Sequence, residues 1–195
     1  MPTYGLTEAA SQVATAALGN TIIEAGCVGR ALPGIQVRTA GADACDRGEV
    51  LVAGPTVMAG YFRDPAATTA ALGDGWLHTG DIGRLDVEGR LQIFDRRTDV
   101  VITGGENVYP TEVEQVLLEH PAIAEAAVYG VADPEWGRRV EAALVLRPGS
   151  DLDQAALQRW CRDRLAAYKI PRTIVRVASL PRTASGKLRR YALAR

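Results

Sequence analysis

Three short segments of the sequence carry polar side chains in patterns that could do chemistry. Residues 4–8 read Tyr-Gly-Leu-Thr-Glu, residues 75–81 read Gly-Trp-Leu-His-Thr-Gly-Asp, and residues 181–187 read Pro-Arg-Thr-Ala-Ser-Gly-Lys. The hydroxyl of Thr7 and the carboxylate of Glu8 suit a magnesium nucleotide, because Mg²⁺ prefers hard oxygen ligands and keeps much of its water. These residue types are therefore compatible with a nucleotide site.

Each segment also has a purely structural interpretation. Thr7 could be the N-cap of a helix, Asp81 could be a turn or cap residue, and the loop around Lys187 could be a solvated basic tail. That loop is not a Walker phosphate loop, since Pro181 replaces the first glycine and Leu188 stands where Ser or Thr would bind magnesium.

Residues 94–114 connect two parts of the chain that differ in their pattern of predicted secondary structure. The stretch follows a strand-like run at 89–94, begins with charged and polar residues, and turns on two glycines before a helix begins. This pattern indicates either a hinge between two domains or an ordinary surface loop.

Taken together, these four stretches resemble the acyl-adenylate-forming superfamily of acyl-CoA synthetases, peptide-synthetase adenylation domains and luciferases. The matching motifs follow the family's order and extend over nearly the whole chain, so chance is a poor explanation. Within this superfamily, residues 4–12, 95–99 and 104–110 are most similar to the o-succinylbenzoate–CoA ligases of menaquinone synthesis.

The resemblance assigns nucleotide contacts to the first half of the chain. It implies that Tyr4, with Gly5 beside it, lies near adenine and that Thr7 contacts a phosphate of ATP or of the adenylate. It also implies that Glu8 holds Mg²⁺ and that Asp81 accepts hydrogen bonds from the ribose hydroxyls, a task that suits a two-oxygen acceptor.

The resemblance assigns the remaining roles to residues further along. Arg96 would contact the ribose beside the aspartate, and Lys187 would reach across a domain interface to the acyl carboxylate and the α-phosphate. Thr98 falls at the family's pivot residue, where many relatives carry Asp or Lys, so this sequence departs from the common pattern there.

The implied reaction has two halves. A carboxylate attacks the α-phosphorus of ATP to give an acyl-adenylate and pyrophosphate, and the thiol of CoA then displaces AMP. Gly104, Gly105 and Glu106 match a loop that lines the pantetheine tunnel. The implied substrates and cofactors are a small carboxylic acid, ATP/AMP, Mg²⁺ and coenzyme A.

The expected fold class is α+β. Residues 1–94 are expected to form a β-rich remnant of the family's large N-terminal domain, as a small antiparallel sheet or barrel, and residues 95–195 a small α/β lid domain. The patterns predict a helix over 65–72, a turn-rich loop over 75–81 and a capping box from Thr111 to Glu114. Further strands and one further helix are predicted over 28–34, 35–38, 48–55, 100–103, 126–131, 140–146, 152–165 (the helix) and 173–177.

The family's phosphate loop is not found in these 195 residues. We therefore expect the chain to be the C-terminal part of such an enzyme, cut before the tyrosine motif, and inactive in adenylation alone. Two alternatives stay open: a non-catalytic lid that complements a separately encoded N-terminal half, and an adenylation domain that serves a carrier protein.

Composition bounds the partners and the location. The formal net charge of −1 gives no field that favours nucleic acid or an anionic membrane. No apolar run approaches the roughly 20 residues that span a bilayer, and no signal-peptide pattern is seen, so a cytoplasmic location is expected. Cys27, Cys45 and Cys161 lack the paired spacing of a zinc site or disulfide framework, so buried or partly buried free thiols are expected.

Overall fold

The fold was analysed in a computed structural model that describes residues 1–17 and 26–194. The described chain divides into two compact units, Met1–Thr98 and Asp99–Arg195. They are called unit 1 and unit 2 here, and each is described by itself.

Unit 1 is built mainly from strands. Its elements are β1 (Thr3–Leu6), a 3₁₀ turn (Thr7–Ala9), β2 (Ser11–Thr15), β3 (Cys27–Ala31), β4 (Gln36–Ala40), β5 (Gly48–Ala53), α1 (Pro65–Ala71), β6 (Leu72–Gly73), β7 (Trp76–Leu85) and β8 (Arg90–Arg96). The helix begins after Asp64, whose carboxylate accepts a hydrogen bond from the amide of Ala67, with Pro65 in the first turn. The predicted helix over 65–72 is thereby confirmed.

The strands of unit 1 pair in the order β1-β2-β3-β8-β7-β5-β4, with β6 attached to β7, and every described pairing is antiparallel. A single apolar cluster draws on distant strands, including Tyr4 of β1, Val50 of β5, Leu77 of β7 and Leu91 of β8. Because β1 and β7 are far apart in the strand order yet share this core, the sheet curls around it.

The prediction of a turn-rich loop over 75–81 is wrong. Only Gly75 is a turn residue, with φ of +81°, and β7 begins at Trp76. β7 pairs with β5 on one side and β8 on the other, and this pairing outweighs the low strand propensity of Gly80 and Asp81. Asp81 therefore lies within a strand.

Strand β8 also extends further than the sequence pattern indicates. Asp95 and Arg96 pair with Ile82 and Asp81 of β7, so the predicted boundary between residues 94 and 95 lies inside β8. The two compact units meet at Thr98 and Asp99.

Unit 2 has mixed architecture. Its elements are β9 (Val101–Thr103), β10 (Glu106–Val108), α2 (Pro110–Leu118), β11 (Ile123–Asp133), β12 (Gly137–Leu146), α3 (Gln154–Arg162), β13 (Thr173–Arg176) and 3₁₀ turns at Ala167–Lys169 and Arg190–Ala192. Strands β9 and β10 form a hairpin, and a second sheet has the order β11-β12-β13, with β13 parallel to β12.

The two faces of the β11-β12-β13 sheet are covered differently. One face packs on α2 and α3 in a cluster that includes Val113, Leu117, Leu157 and Cys161. The other carries Ala127, Tyr129 and Ala143, which pack against Leu180 and, further along the C-terminal segment, against partly buried leucines at 188 and 193. The C-terminal segment is therefore part of the fold.

The predicted capping box from Thr111 to Glu114 is wrong. Tyr109 is the N-cap of α2, no side chain caps that end, and Pro110 occupies the first helical position. Glu114 is buried and accepts a hydrogen bond from the amide of Val128 at 2.7 Å. Its carboxylate therefore serves tertiary packing instead of the helix end.

The cysteines follow the prediction in part. Cys161 is buried and Cys27 half-buried, but Cys45 is exposed in the turn before β5. In the part of the chain that the structure describes, no helix is long and apolar enough to cross a membrane.

Candidate functional site

Three of the predicted site residues meet in one corner of unit 1. The phenol of Tyr4 donates a hydrogen bond to Asp81 Oδ2 at 2.6 Å, and Arg96 Nε lies 3.1 Å from Asp81 Oδ1. Asp81 and Arg96 are direct cross-strand partners on β7 and β8. The curled sheet thus gathers a phenol, a carboxylate and a guanidinium from positions up to 92 residues apart in the chain.

Burial keeps the Tyr4 phenol of the corner protonated. Burial, and next the hydrogen bond to Asp81, raise the pKa of Tyr4 well above its ordinary value, so the phenol is a neutral donor. The Asp81 side chain is only 10% exposed, whereas that of Arg96 is 66% exposed. Each carboxylate oxygen has a second acceptor site beyond its protein partner, so the corner fits a hydroxyl-rich ligand.

Two polar side chains that the sequence analysis did not single out, Thr79 and Glu49, hold the backbone at Gly80 and Asp81. Thr79 Oγ1 accepts from the amide of Asp81 at 3.1 Å and donates to the carbonyl of Val50 at 2.8 Å. Glu49 accepts from the amide of Gly80 at 3.1 Å and lies 3.6 Å from the guanidinium of Arg97. Glu49 sits on β5, distant in sequence from every motif, so no local pattern could have revealed it.

The Tyr-Gly-Leu-Thr-Glu segment is shaped by a close backbone approach. A Cβ atom at Gly5 would lie 1.8 Å from the carbonyl oxygen of Ser11, so only glycine fits there. Thr7 begins the 3₁₀ turn that follows, but Leu6 is its N-cap and no side chain caps it. The interpretation of Thr7 as a helix N-cap is wrong, and its hydroxyl is exposed.

Glu8 is held by a neighbouring loop. Its carboxylate accepts a hydrogen bond from the Tyr61 phenol at 2.9 Å, and its carbonyl accepts one from the amide of Met58 at 2.8 Å. Among residues 1–17 and 26–194, no group of three or more His, Cys, Asp or Glu side chains could hold a metal ion. A single accessible carboxylate fits Mg²⁺ only when substrate phosphates and water complete the coordination.

The predicted Gly104, Gly105 and Glu106 loop lies in unit 2, at the turn between β9 and β10. Gly104 has φ of +57°, and a Cβ there would lie 2.7 Å from the Trp136 ring. The Gly104 amide donates to the Trp136 carbonyl at 3.0 Å. The ring and the glycine therefore pack face to face with no room for a side chain.

This loop forms one wall of a cavity of about 260 Å³. The cavity is lined by Thr103, Gly104, Glu106, Trp136, Val140, Ala167, Tyr168 and Arg172. The Arg172 guanidinium lies 5.3 Å from the centre of the Trp136 ring. Aromatic walls suit a narrow, partly apolar ligand, and the exposed guanidinium of Arg172, with the Glu106 carboxylate also in the lining, offers one site for a negative group.

The Lys187 loop is a closed turn rather than an open tail. Arg182 and Leu188 form a β-bridge, the Thr183 amide donates to the Lys187 carbonyl at 2.8 Å, and the Lys187 amide donates to Thr183 Oγ1 at 3.1 Å. The Lys187 side chain is exposed, and its ammonium has no partner among the described residues.

Thr98, the predicted pivot, is the last residue of unit 1. Just before it, the Arg97 amide donates to the Gly80 carbonyl at 2.8 Å. The chain is thus hydrogen-bonded to unit 1 up to the residue that precedes Thr98.

Comparison with known proteins gives a consistent result. Residues 112–187 match the family described as the AMP-binding enzyme C-terminal domain. The 2-succinylbenzoate–CoA ligase of Geobacillus kaustophilus is 47% identical over 197 residues, which cover 99% of this chain and 40% of that protein.

Solved structures agree in fold. The o-succinylbenzoate CoA synthetase of Bacillus subtilis, in complex with its acyl-adenylate intermediate, superposes with a TM-score of 0.90 at 42% identity, over 98% of this chain and 40% of that one. The same enzyme in complex with ATP and a magnesium ion gives a TM-score of 0.89 at 42% identity with the same coverage. The chain thus spans about 40% of the length of the relatives that it matches.

Proposed function

We propose that this chain is the C-terminal part of an ATP-dependent acid–CoA ligase, because residues 112–187 match the family of AMP-binding enzyme C-terminal domains. The observation that carries the proposal is the corner formed by Tyr4, Asp81 and Arg96, a buried, hydrogen-bonded carboxylate beside an exposed guanidinium. The proposed reaction joins a carboxylic acid to CoA by way of an acyl-adenylate, and the proposed location is the cytoplasm.

In the first half-reaction, the Asp81 carboxylate accepts hydrogen bonds from the ribose hydroxyls of ATP at its remaining acceptor sites, and Arg96 donates a hydrogen bond to the same sugar. The acid's oxygen attacks the α-phosphorus and pyrophosphate departs. Glu8 would hold Mg²⁺ together with substrate phosphates and water, and the ion would neutralise charge on the phosphate oxygens there. Thr7 donates its exposed hydroxyl to a phosphate, and the Lys187 ammonium neutralises the charge that develops at the reacting centre.

In the second half-reaction, the CoA sulfur attacks the acyl carbon, the bond to AMP breaks, and the thiol proton passes to solvent. We assign the pantetheine arm to the cavity beside Gly104, Gly105 and Glu106, where the aromatic wall of Trp136 suits an apolar chain and Arg172 suits a phosphate. Thr98 is the proposed pivot between the two half-reactions.

We propose o-succinylbenzoate as the acid, on the names of the relatives alone. The resemblance places the residues that select the acid mainly before the tyrosine motif.

A hybrid protein tests the proposal. The matching region of the Geobacillus kaustophilus ligase is replaced by this chain, and the product is called the hybrid ligase here. We expect ATP–pyrophosphate exchange and CoA ester formation with o-succinylbenzoate, and no exchange by this chain alone. A correctly folded hybrid ligase that binds neither ATP nor CoA would contradict the proposal.

The second candidate is a non-catalytic lid that complements a separately encoded first half. Among the described residues of unit 1, the exposed large apolar side chains do not favour it, since Met1, Tyr61, Phe62 and Val87 lie in separate segments except for the adjacent pair. Mixing this chain with the first 60% of the relative tests the idea, since restored exchange would support complementation and its absence would favour a single polypeptide.

A further inference from the structure

A cluster of ionised side chains lies directly beyond the Lys187 loop. Arg190 donates to Glu114 through Nη2 at 2.8 Å and through Nε at 3.3 Å, and to Asp99 through Nη1 at 3.1 Å. A two-pronged contact of this kind fixes the plane of the guanidinium as well as its position. Arg190 is three residues from Lys187, so its anchor is close to the loop.

The cluster connects several parts of unit 2. Asp99 is the first residue of the unit and follows Thr98. Glu114 lies on α2, and it also accepts a hydrogen bond from the amide of Val128 on β11. One guanidinium thus fastens the C-terminal segment to a helix, to the central sheet and to the residue beside the proposed pivot.

The cluster is shielded from solvent. The side chains of Arg190 and Glu114 are 18% and 11% exposed, and that of Asp99 is 29% exposed. Removing Arg190 from this site leaves two carboxylates without a counter-charge, which costs far more than breaking a surface ion pair.

The other end of the loop is held more weakly. Arg182 pairs with Glu125, but both side chains are exposed, at 47% and 40%. The loop is therefore bracketed by two arginine–carboxylate contacts to elements of unit 2, one at the surface and one shielded. The shielded contact is the stronger of these two arginine–carboxylate contacts.

We propose that Arg190 is the positioning residue for Lys187. It holds the chain after the lysine at a fixed point of unit 2, so that the exposed ammonium is presented from a defined backbone position. The importance of that position for catalysis rests on the proposed function, whereas the positioning itself does not.

The sequence allows a direct measurement, because Lys169 and Lys187 are the two lysines of the chain. Protein labelled with ¹⁵N-lysine gives one backbone amide signal from each, and Lys187→Arg identifies them. The Lys169 amide donates to the Ala166 carbonyl at 2.9 Å within a 3₁₀ turn, so it reports the integrity of unit 2 independently of the loop.

In Arg190→Gln we expect the order parameter of the Lys187 amide to fall from about 0.8 to below about 0.6, with that of Lys169 unchanged. Arg189→Gln is the matched control, since the same substitution one residue away removes an exposed guanidinium that donates to the Tyr191 hydroxyl. It should leave both signals at their wild-type values.

An unchanged Lys187 order parameter in folded Arg190→Gln would overturn the proposal, as would an equal fall in Arg189→Gln. If the Lys169 signal shows that Arg190→Gln has unfolded, Asp99→Asn decides, because it removes one of the two carboxylate charges and keeps the side-chain shape. A partial fall at Lys187 alone supports the proposal, and no fall overturns it.

The outcome is distinguishable from failure of the proposed function. The order parameters are measured without nucleotide, acid or CoA. A loop loosened by Arg190→Gln, together with a hybrid ligase that tolerates Lys187→Ala, would establish the positioning and refute the catalytic role.

Discussion

The corner around Asp81 in unit 1 and the loop around Lys187 in unit 2 hold their key side chains in different ways. Asp81 is buried, and its carboxylate is fixed directly by the Tyr4 phenol and the Arg96 guanidinium. Lys187 is exposed, and only its backbone is bonded, within a turn whose flanks are fastened by arginines.

This difference suits the proposed tasks. A group that binds a ribose in the ground state gains from being held in place before the ligand arrives, because no ordering cost remains to be paid on binding. An ammonium that must meet charge developing on another molecule needs an unpaired side chain, since a protein carboxylate beside it would neutralise it in advance. Indirect positioning through the backbone satisfies that need.

The largest expected effect comes from removing the unpaired ammonium. Lys187→Ala in the hybrid ligase should slow adenylation by about 100-fold or more, because charge on the phosphate and carboxylate oxygens loses its counter-ion. Thioester formation from supplied acyl-adenylate should change little. The two half-reactions are followed separately, by pyrophosphate exchange and by release of AMP.

Lys187→Arg serves as the control for that variant. It keeps the positive charge but replaces a compact ammonium by a planar guanidinium group, so partial activity is expected. Adenylation by Lys187→Ala within about threefold of the parent would show that this exposed lysine is only a surface residue.

The next largest effect tests the shielded anchor against the exposed one. Glu114→Gln should lower the free energy of unfolding by about 2 kcal/mol, because a shielded, charge-assisted contact with Arg190 becomes a neutral one while Asp99 still balances the guanidinium. Glu125→Gln makes the same chemical change at the exposed partner of Arg182 and should cost less than about 1 kcal/mol. Urea unfolding of both variants gives the comparison, and equal costs would contradict the assigned hierarchy.

Motif reading identified the side chains that meet in the corner but not the way in which they are held. Tyr4, Asp81 and Arg96 were named from their motifs, and the structure brings them together. The strand that carries Asp81 was mistaken for a loop, because Gly75, Gly80 and Asp81 are typical of turns and the pairing partners on β5 and β8 are not local in sequence.

The ion cluster in unit 2 shows the same limit more sharply. Glu114 stood three residues after Thr111 and fitted a capping box, yet its partner Arg190 lies 76 residues away. A local pattern cannot distinguish a carboxylate that reaches back to a helix end from one that turns inward to a distant arginine. Burial decides between them, and burial depends on the whole fold.

The two units are also expected to respond to alkali at different pH values. Burial raises the pKa of the Cys161 thiol from 9.0 to about 11. The folded state holds this proton more tightly than the unfolded state does. The contribution of the protonated thiol to the free energy of unfolding, about 2 to 3 kcal/mol, is therefore fully present below pH 9 and is lost as the pH rises through 11. In unit 1, the raised pKa of Tyr4 also makes stability fall with rising pH, but that loss begins only above about pH 10, the ordinary pKa of tyrosine.

Urea unfolding at pH 8 and pH 10.5 tests this difference. In a Trp76→Phe background the fluorescence reports Trp136 and Trp160, which both lie in unit 2. Unit 2 should lose about 2 kcal/mol at the higher pH, and Cys161→Ala should remove most of that loss. Cys45→Ala, at an exposed thiol, is the matched control, and an equal pH response in both variants would refute the assignment to Cys161.

The smallest effect that we predict concerns direct positioning in the corner. Asp81→Asn in the hybrid ligase should weaken ATP binding by about tenfold, because hydrogen bonds to a charged acceptor are worth about 1.5 to 3 kcal/mol and an amide oxygen retains part of that. Asparagine still offers an oxygen to the Tyr4 phenol, so the fold of the corner should persist. Asp86→Asn, at a half-buried carboxylate paired with Arg90 away from the corner, should leave binding unchanged.

Deoxynucleotides turn that modest effect into a specific test of the ribose contact. With Asp81 present, 2′-deoxy-ATP and 3′-deoxy-ATP should each bind about tenfold more weakly than ATP, because the buried carboxylate loses a partner. In Asp81→Asn the same nucleotides should differ little from ATP, since the interaction that they lack has already been weakened. An undiminished preference for ATP in Asp81→Asn would mean that the sugar is bound elsewhere, and that the buried carboxylate only holds Tyr4 and Arg96 together.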